Sequence, residues 1–400
     1  MGRPDSAAIP SLARLRMLRR FMAVAEPLMR RALWLLTPVT WSGRATFPRR
    51  GPVVLLANHV GYLDPVVLML ACGRPVQFIG AESLLQEPVV RHLVRLFGLV
   101  PKQKMRSDVR AIRALLTWSR LGAVVGVFPE GQRSWDGRPV PLLPGIEKLV
   151  RLLDAPVVTC RILNANRQAP YWAERMRRGR IHIEFAPPVR FGRSATLPQI
   201  RRTVQEGVHV DPDRCDHWPV RGTRLAAGVG NVLFACPVCL ANESIEETGD
   251  EITCQGCNSH WALDTHNRLV GLSGAPSMKL TQAIDHIRAN LARTWVVDPE
   301  LFQHTGLVAR SEPMTMLDAT NRASKQVIAE GSLLLTQVGL KVAGTDWELP
   351  LEEVAATAID MRRRLQFRTP RRVFEAVLPN ESPTKWLLLT DHWRQLARGT

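Results

Sequence analysis

Short runs of β-branched residues alternate with helical patterns between residues 46 and 192, and this alternation limits the fold more than any other feature. Strand-like runs cover 52–57, 76–79, 99–101, 124–128, 156–162 and 180–185, and helical patterns cover 65–71, 82–97, 108–120 and 145–153. Strands separated by helices pair mostly in parallel, and the helices cover the faces of the sheet. The sequence therefore predicts a layered α/β domain with a largely parallel sheet over residues 46–192.

The rest of the 400-residue chain predicts smaller parts of different composition. They are a basic amphipathic N-terminal helix in residues 1–45, a linker or extension in 193–230, a zinc ribbon in 231–272, a helical linker in 273–297 and a small mainly-β domain in 298–400. In the last part, strand-like runs at 331–336, 340–342, 366–368 and 373–377 precede a helical pattern at 382–396. This order resembles a pleckstrin-homology-like fold, which implies a small sheet closed by a helix.

The N-terminal region is strongly positive. Residues 1–50 contain ten arginines against Asp5 and Glu26, and the whole chain has a formal charge of +17. Such a charge favours acidic partners, including anionic lipid surfaces and phosphorylated substrates. The helix predicted over 11–37 has one apolar stripe, formed by Leu15, Leu18, Met22, Ala25, Met29, Leu33 and Leu36. The stripe either packs on the following domain or lies in a membrane interface, and both can hold for different turns.

No apolar run in the sequence reaches the roughly 18–20 residues that span a bilayer. Together with the basic start of the chain, this favours a peripheral protein that meets anionic lipids. Seven cysteines, four of them in two CxxC pairs, fit metal binding in a reducing compartment better than a set of disulfides. We therefore expect the protein at the cytoplasmic face of a membrane.

Two polar segments each follow a predicted strand. The first, N-H-V-G-Y-L-D-P from Asn58, places His59 five residues before Asp64, and the second, F-P-E-G-Q-R-S from Phe128, contains Glu130 and Arg133. In open α/β sheets, ligands bind at the carboxyl ends of the strands, so both segments fall where a site is expected. An Asp followed by Pro is also a common helix start, and the second segment is what favours the catalytic interpretation over the structural one.

These residue types suit acyl transfer to an alcohol. An alcohol is a weak nucleophile at neutral pH, and imidazole has a suitable pKa to remove its proton as it attacks a thioester. A nearby carboxylate fixes the imidazole and stabilises its protonated form. Gly131 lets the backbone approach a ligand closely, and the Arg133 guanidinium offers a fork for phosphate.

The two segments resemble the glycerolipid acyltransferases of the 1-acylglycerol-3-phosphate acyltransferase type, over about residues 40–190. That family has an N-H-x4-D block, a G-x-[IV]-P-x-x-R block, an F-P-E-G-x-R-S block and a V-x-x-P-V block. The resemblance implies that His59 is the base and Asp64 its partner. It also implies a set of substrate-binding residues: Glu130, Gly131, Arg133, Ser134, Lys104 and Arg106.

The resemblance further implies the reactants. The acyl donor is acyl-CoA or acyl carrier protein, and the acceptor is a lysophospholipid such as 1-acylglycerol 3-phosphate. Two positions depart from the family: Lys104 stands where Arg is usual, with Arg106 just beyond, and Thr159 stands where Pro is expected. Lysine binds phosphate without the two-pronged geometry of arginine. Glycerol 3-phosphate or an unusual lysolipid is therefore an alternative acceptor.

Two CxxC pairs predict a structural zinc site. Cys236 and Cys239 form the first pair, Cys254 and Cys257 form the second, and fourteen residues separate them. Each pair can present two thiolates, and four complete the tetrahedron that zinc prefers. Residues 236–260 contain five carboxylates and no Lys or Arg, so nucleic acid is not expected as a partner. We therefore expect this segment to have a structural role or to contact another protein. The C-terminal domain could also contact a protein partner.

The combination of an α/β domain with a zinc ribbon and a small C-terminal domain also allows a non-catalytic interpretation. The chain could be a zinc-stabilised adaptor that binds lipid or protein, with the α/β domain kept only as a scaffold. The presence of both His59 and Asp64, together with Glu130 and Arg133, favours the enzyme.

Overall fold

The structure is a computed structural model that describes residues 10–81, 99–102, 108–291, 299–321, 324–360 and 363–397. The chain divides into two compact units. The first comprises Met1–Tyr171 and Met176–Arg221, and the second comprises Trp172–Arg175 and Gly222–Thr400. The helix predicted at 82–97 lies outside the described residues, as do Lys104 and Arg106.

A seven-stranded sheet forms the centre of the first unit. Its strands are β1 (Val39–Ser42), β2 (Val53–Ala57), β3 (Val76–Ala81), β4 (Val100–Lys102), β5 (Val124–Val127), β6 (Val157–Leu163) and β7 (Ile181–Phe185), in the spatial order β1-β7-β6-β2-β5-β3-β4. The five strands from β6 to β4 are parallel, whereas β7 runs antiparallel to β6 and pairs in parallel with β1. The prediction of an α/β domain with a largely parallel sheet is confirmed.

Helices cover both faces of this sheet. They are α1 (Leu12–Leu36), α2 (Asp64–Cys72), α3 (Val109–Arg120), α4 (Ile146–Leu153), α5 (Ala165–Gln168) and α6 (Leu197–Val208). Helix α2 packs with Leu55, Val158 and Phe128 on one face, and α3, α4 and α6 enclose a second core on the other. The sheet is therefore buried on both sides, which is why its central strands read as continuous apolar runs.

Residues 197–208, within the stretch predicted as a linker or extension, form helix α6. Thr196 caps α6 by accepting from the Gln199 N–H, while the Gln199 side chain accepts from the Thr196 N–H. Ile200, Val204 and Val208 recur every four residues and are buried in the second core. The capping box and this spacing were the sequence signals of a helix packed on the domain.

Helix α1 carries two apolar stripes. The predicted stripe packs on the first unit, with Leu15, Leu18 and Met22 buried and Met29 and Leu33 partly buried against the core. A second stripe on another flank of the helix is exposed and consists of Met17, Val24, Leu28 and Leu35. Among the described residues, no helix combines the length and apolar character that crossing a bilayer requires.

Two antiparallel sheets make up most of the second unit. The first contains β8 (Ile245–Thr248), β9 (Glu251–Cys254), β10 (His260–Leu263), β11 (Arg268–Leu272) and β12 (Met278–Lys279), paired in sequence order. The second contains β13 (Leu307–Asp318), β14 (Gln326–Thr336), β15 (Gly339–Val342), β16 (Glu348–Pro350), β17 (Ala356–Ile359), β18 (Arg364–Arg368) and β19 (Val373–Val377). The described helices of this unit are α7 (Leu280–Ala289), α8 (Pro299–Thr305) and α9 (Pro383–Ala397). The expected β-rich C-terminal region is therefore present.

A buried lysine joins α9 to the cysteine-rich segment within this unit. The Lys385 side chain is 3% exposed, forms an ion pair with Glu243, and lies 3.5 Å from a Glu381 oxygen. Trp386 Nε1 also donates to Glu381, at 2.6 Å. Buried charges that pair in this way hold their segments in one arrangement, and losing one partner leaves the other uncompensated.

Candidate active site

The site begins at the carboxyl end of β2, where Asn58 fixes the chain. Its Nδ2 donates to the Ile162 carbonyl at 3.0 Å, and its Oδ1 accepts from the Ile162 N–H at 2.7 Å. This side chain therefore continues the pairing of β2 with β6 one residue beyond the strand. Asparagine suits the position because its amide offers one donor and one acceptor side by side.

His59 and Asp64 form the central pair. His59 Nδ1 lies 2.8 Å from Asp64 Oδ2, and this oxygen also accepts the N–H groups of Val60 at 2.7 Å and Gly61 at 2.8 Å. The Asp64 side chain is 1% exposed and that of His59 is 20% exposed. A carboxylate only accepts hydrogen bonds, so Nδ1 carries the proton of this contact and Nε2 is the nitrogen that can take up another.

The segment from Phe128 to Ser134 binds the backbone of His59 on both sides. The His59 N–H donates to Glu130 Oε2 at 3.0 Å, and the Ser134 N–H donates to the His59 carbonyl at 2.8 Å. The His59 ring stacks on Phe128, with ring centres 4.1 Å apart and planes 15° apart. The two segments separated in sequence therefore form one structure around the imidazole.

Ser134 lies where it supports this structure. Its side chain is buried, and its hydroxyl donates to Asp136 Oδ1 at 3.2 Å. The predicted contact of Ser134 with substrate stays a prediction, since the described contacts of the residue are with protein groups.

Glu130 lies in a low-polarity environment. Burial raises the pKa of Glu130 from its ordinary 4.5 to about 8, against the opposing effect of hydrogen bonds from the His59 and Val140 backbone. The negative charge of Asp64 raises this pKa further. At neutral pH the Glu130 carboxyl is therefore mainly uncharged.

Gly131 is required by its conformation and by its surroundings. Its φ of +70° lies in the left-handed region, and a Cβ there would lie 2.4 Å from Leu143 Cδ1. The glycine thus turns the chain between Glu130 and Arg133 in a space that Leu143 closes.

Arg133 lies between two aromatic rings. Its guanidinium carbon is 3.7 Å from the centre of the Tyr62 ring and 4.0 Å from that of Tyr171. Trp135 packs edge-on against Tyr171 at 4.3 Å. Arg133 Nη1 is buried and makes no hydrogen bond among the described residues. The stacking fixes the guanidinium plane while leaving its N–H groups for a ligand.

Sequence reasoning did not find the two tyrosines. They are the only tyrosines in the chain, and Tyr62 lies between His59 and Asp64 in the first segment. Tyr171 follows β6 by several residues and has no motif around it. The position of Tyr62 was a usable signal, whereas that of Tyr171 depends on the tertiary fold.

Thr159, which stands where the resembled family has Pro, has a packing role in the structure. Thr159 is buried in β6 against α6, where a Cβ on Gly207 would lie 2.2 Å from its hydroxyl oxygen. Its neighbours Val158 and Cys160 face the core that contains Phe128. Because side chains alternate along a strand, Thr159 points to the opposite face from these two residues.

The four cysteines of the CxxC pairs come together in the second unit. The sulfur atoms of Cys236, Cys239, Cys254 and Cys257 all lie within 4.8 Å of one another. Cys236 Sγ is 3.7 Å from Cys257 Sγ, and Cys239 Sγ is 3.7 Å from Cys254 Sγ. A tetrahedral zinc ion with Zn–S bonds of about 2.3 Å separates its sulfurs by about 3.8 Å, so the arrangement fits such an ion.

The turns around these cysteines also suit metal binding. The N–H groups of Val238 and Gly256 point at Cys236 Sγ and Cys254 Sγ, each at 3.3 Å. Such hydrogen bonds stabilise a negatively charged sulfur. Cys236 and Cys254 are buried, whereas Cys239 is exposed.

Residues 38–163, which contain β2, β5 and both polar segments, match the family model described as acyltransferase. The chain is 27% identical over 164 residues to the chloroplastic 1-acyl-sn-glycerol-3-phosphate acyltransferase of Brassica napus, covering 40% of this chain and 47% of that one. It is 25% identical over 142 residues to the 1-acyl-sn-glycerol-3-phosphate acyltransferase of Borreliella burgdorferi, covering 34% and 55%. The chain therefore spans about half the length of the curated relatives it matches.

Among solved structures, the chain is similar to the crystal structure of the 1-acyl-sn-glycerophosphate acyltransferase PlsC from Thermotoga maritima. The sequence identity is 23% and the TM-score is 0.40, with 48% of this chain and 76% of that chain covered.

Proposed function

We propose that the protein moves a fatty acyl chain from acyl-CoA or acyl carrier protein to the hydroxyl of a lysophospholipid, with 1-acylglycerol 3-phosphate as the acceptor. The observation that carries this proposal is the pairing of His59 with the buried Asp64 beside the segment that contains Glu130 and Arg133. The family of the matched domain and the names of its relatives support the same reaction. An adaptor that only binds lipid or protein would have no use for this arrangement.

The chemistry balances with the groups present. His59 Nε2 removes the proton of the acceptor hydroxyl as its oxygen attacks the thioester carbonyl carbon, and Asp64 stabilises the imidazolium that forms. The C–S bond then breaks, and the imidazolium returns the proton to the departing sulfur. The products are an ester and a free thiol, and His59 is neutral again. No covalent acyl-enzyme is needed, since the thioester is already activated.

Arg133 is suited to hold the acceptor phosphate. Its guanidinium is fixed between Tyr62 and Tyr171, and a buried Nη1 has no partner among the described residues. A phosphate oxygen would satisfy that donor with a charge-assisted hydrogen bond. An uncharged Glu130 on the same segment lowers the repulsion that an anionic acceptor meets.

The exposed stripe of α1 supports peripheral association with the cytoplasmic face of a membrane. Met17, Val24, Leu28 and Leu35 are exposed at helical spacing, and Arg20 and Arg31 are exposed close to this stripe on the helix surface. An apolar stripe bordered by arginines can lie in a lipid interface while the arginines meet anionic headgroups. This position would bring the enzyme to a lysophospholipid acceptor.

The four cysteines of the second unit would hold zinc as a structural ion. The spacing of their sulfur atoms is that of a closed tetrahedral site, which leaves no position for a substrate. The ion would contribute folding energy to the second unit and take no part in acyl transfer. We further propose that the β-rich C-terminal region, residues 298–400, is a pleckstrin-homology-like domain that contacts lipid or protein.

Replacing His59 with alanine tests the proposed reaction. We expect His59→Ala to remove acyl transfer from either thioester donor to a panel of lysolipid acceptors, read by mass spectrometry, with an unchanged thermal transition. His209→Ala, an exposed histidine of the same unit, is the matched control and should keep full activity. Transfer by His59→Ala at the rate of the unaltered protein would exclude His59 as the base.

A further inference from the structure

One cavity of the first unit is rich in arginine. It encloses about 520 Å³ between α1 and the loops that precede β2 and β3. Five arginines line it: Arg19, Arg44, Arg49, Arg50 and Arg74. The one acidic lining residue, Glu26, forms an ion pair with Arg30 at 3.2 Å. The cavity therefore concentrates positive charge in a space large enough for a small ligand.

The guanidinium groups of Arg44, Arg49 and Arg50, like those of Arg19 and Arg74, have no acidic partner in the part of the chain that the structure describes. Among the described residues, no carboxylate lies within ion-pair distance of Arg44, Arg49 or Arg50. The first unit pairs other arginines with acids, as Arg214 with Glu184 at 2.7 Å. Arg44, Arg49 and Arg50, in contrast, line one cavity without such a partner.

The other cavity arginines are held in place by the fold. Arg74 donates to the carbonyls of Pro48 and Gly51, each at 2.7 Å, and of Gly122 at 3.2 Å. Arg19 donates to the same Gly122 carbonyl at 3.1 Å. Burial and the charge of Arg19 lower the pKa of Arg74. Two positive groups are thus fixed beside each other, an arrangement that a bound anion would stabilise.

Arg44 also occupies a prepared position. Its guanidinium carbon lies 5.0 Å from the Trp41 ring centre, on the border of the cavity. Gly73 has a φ of +65°, and a Cβ there would lie 2.5 Å from Arg44 Nη2. Gly73 therefore leaves the room that the guanidinium occupies.

This cavity is separate from the site around His59. Gly51 precedes β2 and Pro75 precedes β3, so the cavity lies at the amino ends of these strands, whereas His59 follows the carboxyl end of β2. The length of β2 alone separates the two places by roughly 13 Å, at about 3.3 Å per residue. A ligand of the cavity would therefore leave the imidazole accessible.

We infer that this cavity is a second anion site that binds a phosphate group. The guanidinium groups of Arg44, Arg49 and Arg50 hold the phosphate oxygens, and the fixed charges of Arg19 and Arg74 attract it. Arginine forks match phosphate in geometry and in charge. The phosphate belongs either to an anionic lipid headgroup or to a free phosphorylated molecule.

The test removes two exposed arginines of the cavity, Arg49 and Arg50, from the full-length protein. Arg49→Gln with Arg50→Gln is compared with Arg190→Gln and Arg193→Gln, two exposed arginines of the same unit outside the cavity, so both double variants lose the same charge. Binding of inorganic phosphate is measured by equilibrium dialysis, and binding of phosphatidylcholine vesicles that contain phosphatidylglycerol by sedimentation. Thermal transitions establish that each variant is folded, and the lysine pair Arg49→Lys with Arg50→Lys restores the charge.

We expect the cavity variant to bind at least one probe roughly tenfold or more weakly, since two charge-assisted contacts are lost. The control pair should bind like the unaltered protein, and the lysine pair should bind partly. If the cavity variant loses binding to vesicles alone, the ligand is a lipid headgroup. If it loses binding to inorganic phosphate alone, the ligand is a free phosphorylated molecule. Loss of both shows that the cavity binds the phosphate group from either source. Equal losses in the two glutamine pairs, no loss in the cavity pair, or no binding by the unaltered protein would overturn the inference.

Discussion

The two units use buried polar groups for different purposes. In the first unit, Asp64 is 1% exposed and faces a histidine that stays partly accessible, so its charge is available to a reaction. In the second unit, Lys385 is 3% exposed and faces Glu381 and Glu243, so its charge is used between protein groups. The first arrangement is open toward a ligand, and the second is closed.

This difference separates loss of activity from loss of stability. Groups that face a ligand can change without disturbing the fold if their hydrogen bonds are kept. Groups that face only protein are expected to affect the free energy of unfolding and to leave the chemistry alone.

The largest expected effect concerns the cysteine cluster. Cys254→Ser removes one of four thiolates, and we expect loss of bound zinc and a destabilisation of the second unit by roughly 5 kcal/mol or more. Metal content is read by elemental mass spectrometry, and unfolding by calorimetry with and without chelator. Cys215→Ala, a buried cysteine of the first unit, should keep the metal. Unchanged stability in Cys254→Ser and in chelator would rule out a structural ion.

Asp64→Asn should act on the reaction. Its amide oxygen can still accept the Val60 and Gly61 N–H groups, but the charge that stabilises the imidazolium is gone, so kcat/KM should fall on the order of 10³-fold. The thermal transition should stay near that of the unaltered protein. Asp154→Asn, at an exposed position with a φ of 42°, is the matched control. A variant that unfolds would show that Asp64 serves structure, as a closed pair does.

Lys385→Met should act on stability. It leaves Glu381 buried without its cation, and we expect a loss of about 3 kcal/mol in the free energy of unfolding. Acyl transfer per folded molecule should not change. Lys341→Met removes an exposed pair with Glu348 at 3.2 Å and should cost less than about 1 kcal/mol. An equal loss in the free energy of unfolding of the two variants would mean that burial does not make the Lys385 ion pair more important for stability than an exposed one.

Glu130→Gln should change the pH dependence of stability. The pKa of Glu130 is about 8 in the folded protein against an ordinary 4.5, so the folded state holds its proton more tightly. The resulting stabilisation is complete below about pH 4.5 and is lost as the pH rises through 8. The melting temperature of Glu130→Gln minus that of the unaltered protein should therefore grow from pH 5 to about pH 9. In Glu206→Gln, an exposed control, this difference should stay flat.

Much of the first unit could be predicted from its sequence. The runs at 52–57 and 124–128 correspond to β2 and β5 within a residue or two, because buried parallel strands have continuous β-branched stretches. His59 and Asp64 are close in sequence, and their contact follows from a single turn. Glu130 lies 71 residues from His59, and its approach could be expected only because both follow neighbouring strands.

Other features depended on tertiary structure. The sequence analysis identified only the apolar stripe of helix α1 that contains Leu18, and the exposed stripe that contains Leu28 became evident from the burial of the first one. Strand β13 contains Pro313 and has irregular register near it, so its 12 residues did not read as one strand. Tyr171 stacks on Arg133 from outside both motifs. Each of these features depends on contacts with residues that are distant in sequence.

The double attachment of the His59 backbone has a consequence for protein engineering. Because the Glu130 carboxyl accepts the His59 N–H and the Ser134 N–H donates to the His59 carbonyl, the loop that contains His59 depends on the second segment for support. Grafting residues 58–64 alone onto another scaffold would carry the base across with an unsupported peptide. A transplant has to move 58–64 and 128–134 as one cassette, on two strands at the same separation as β2 and β5.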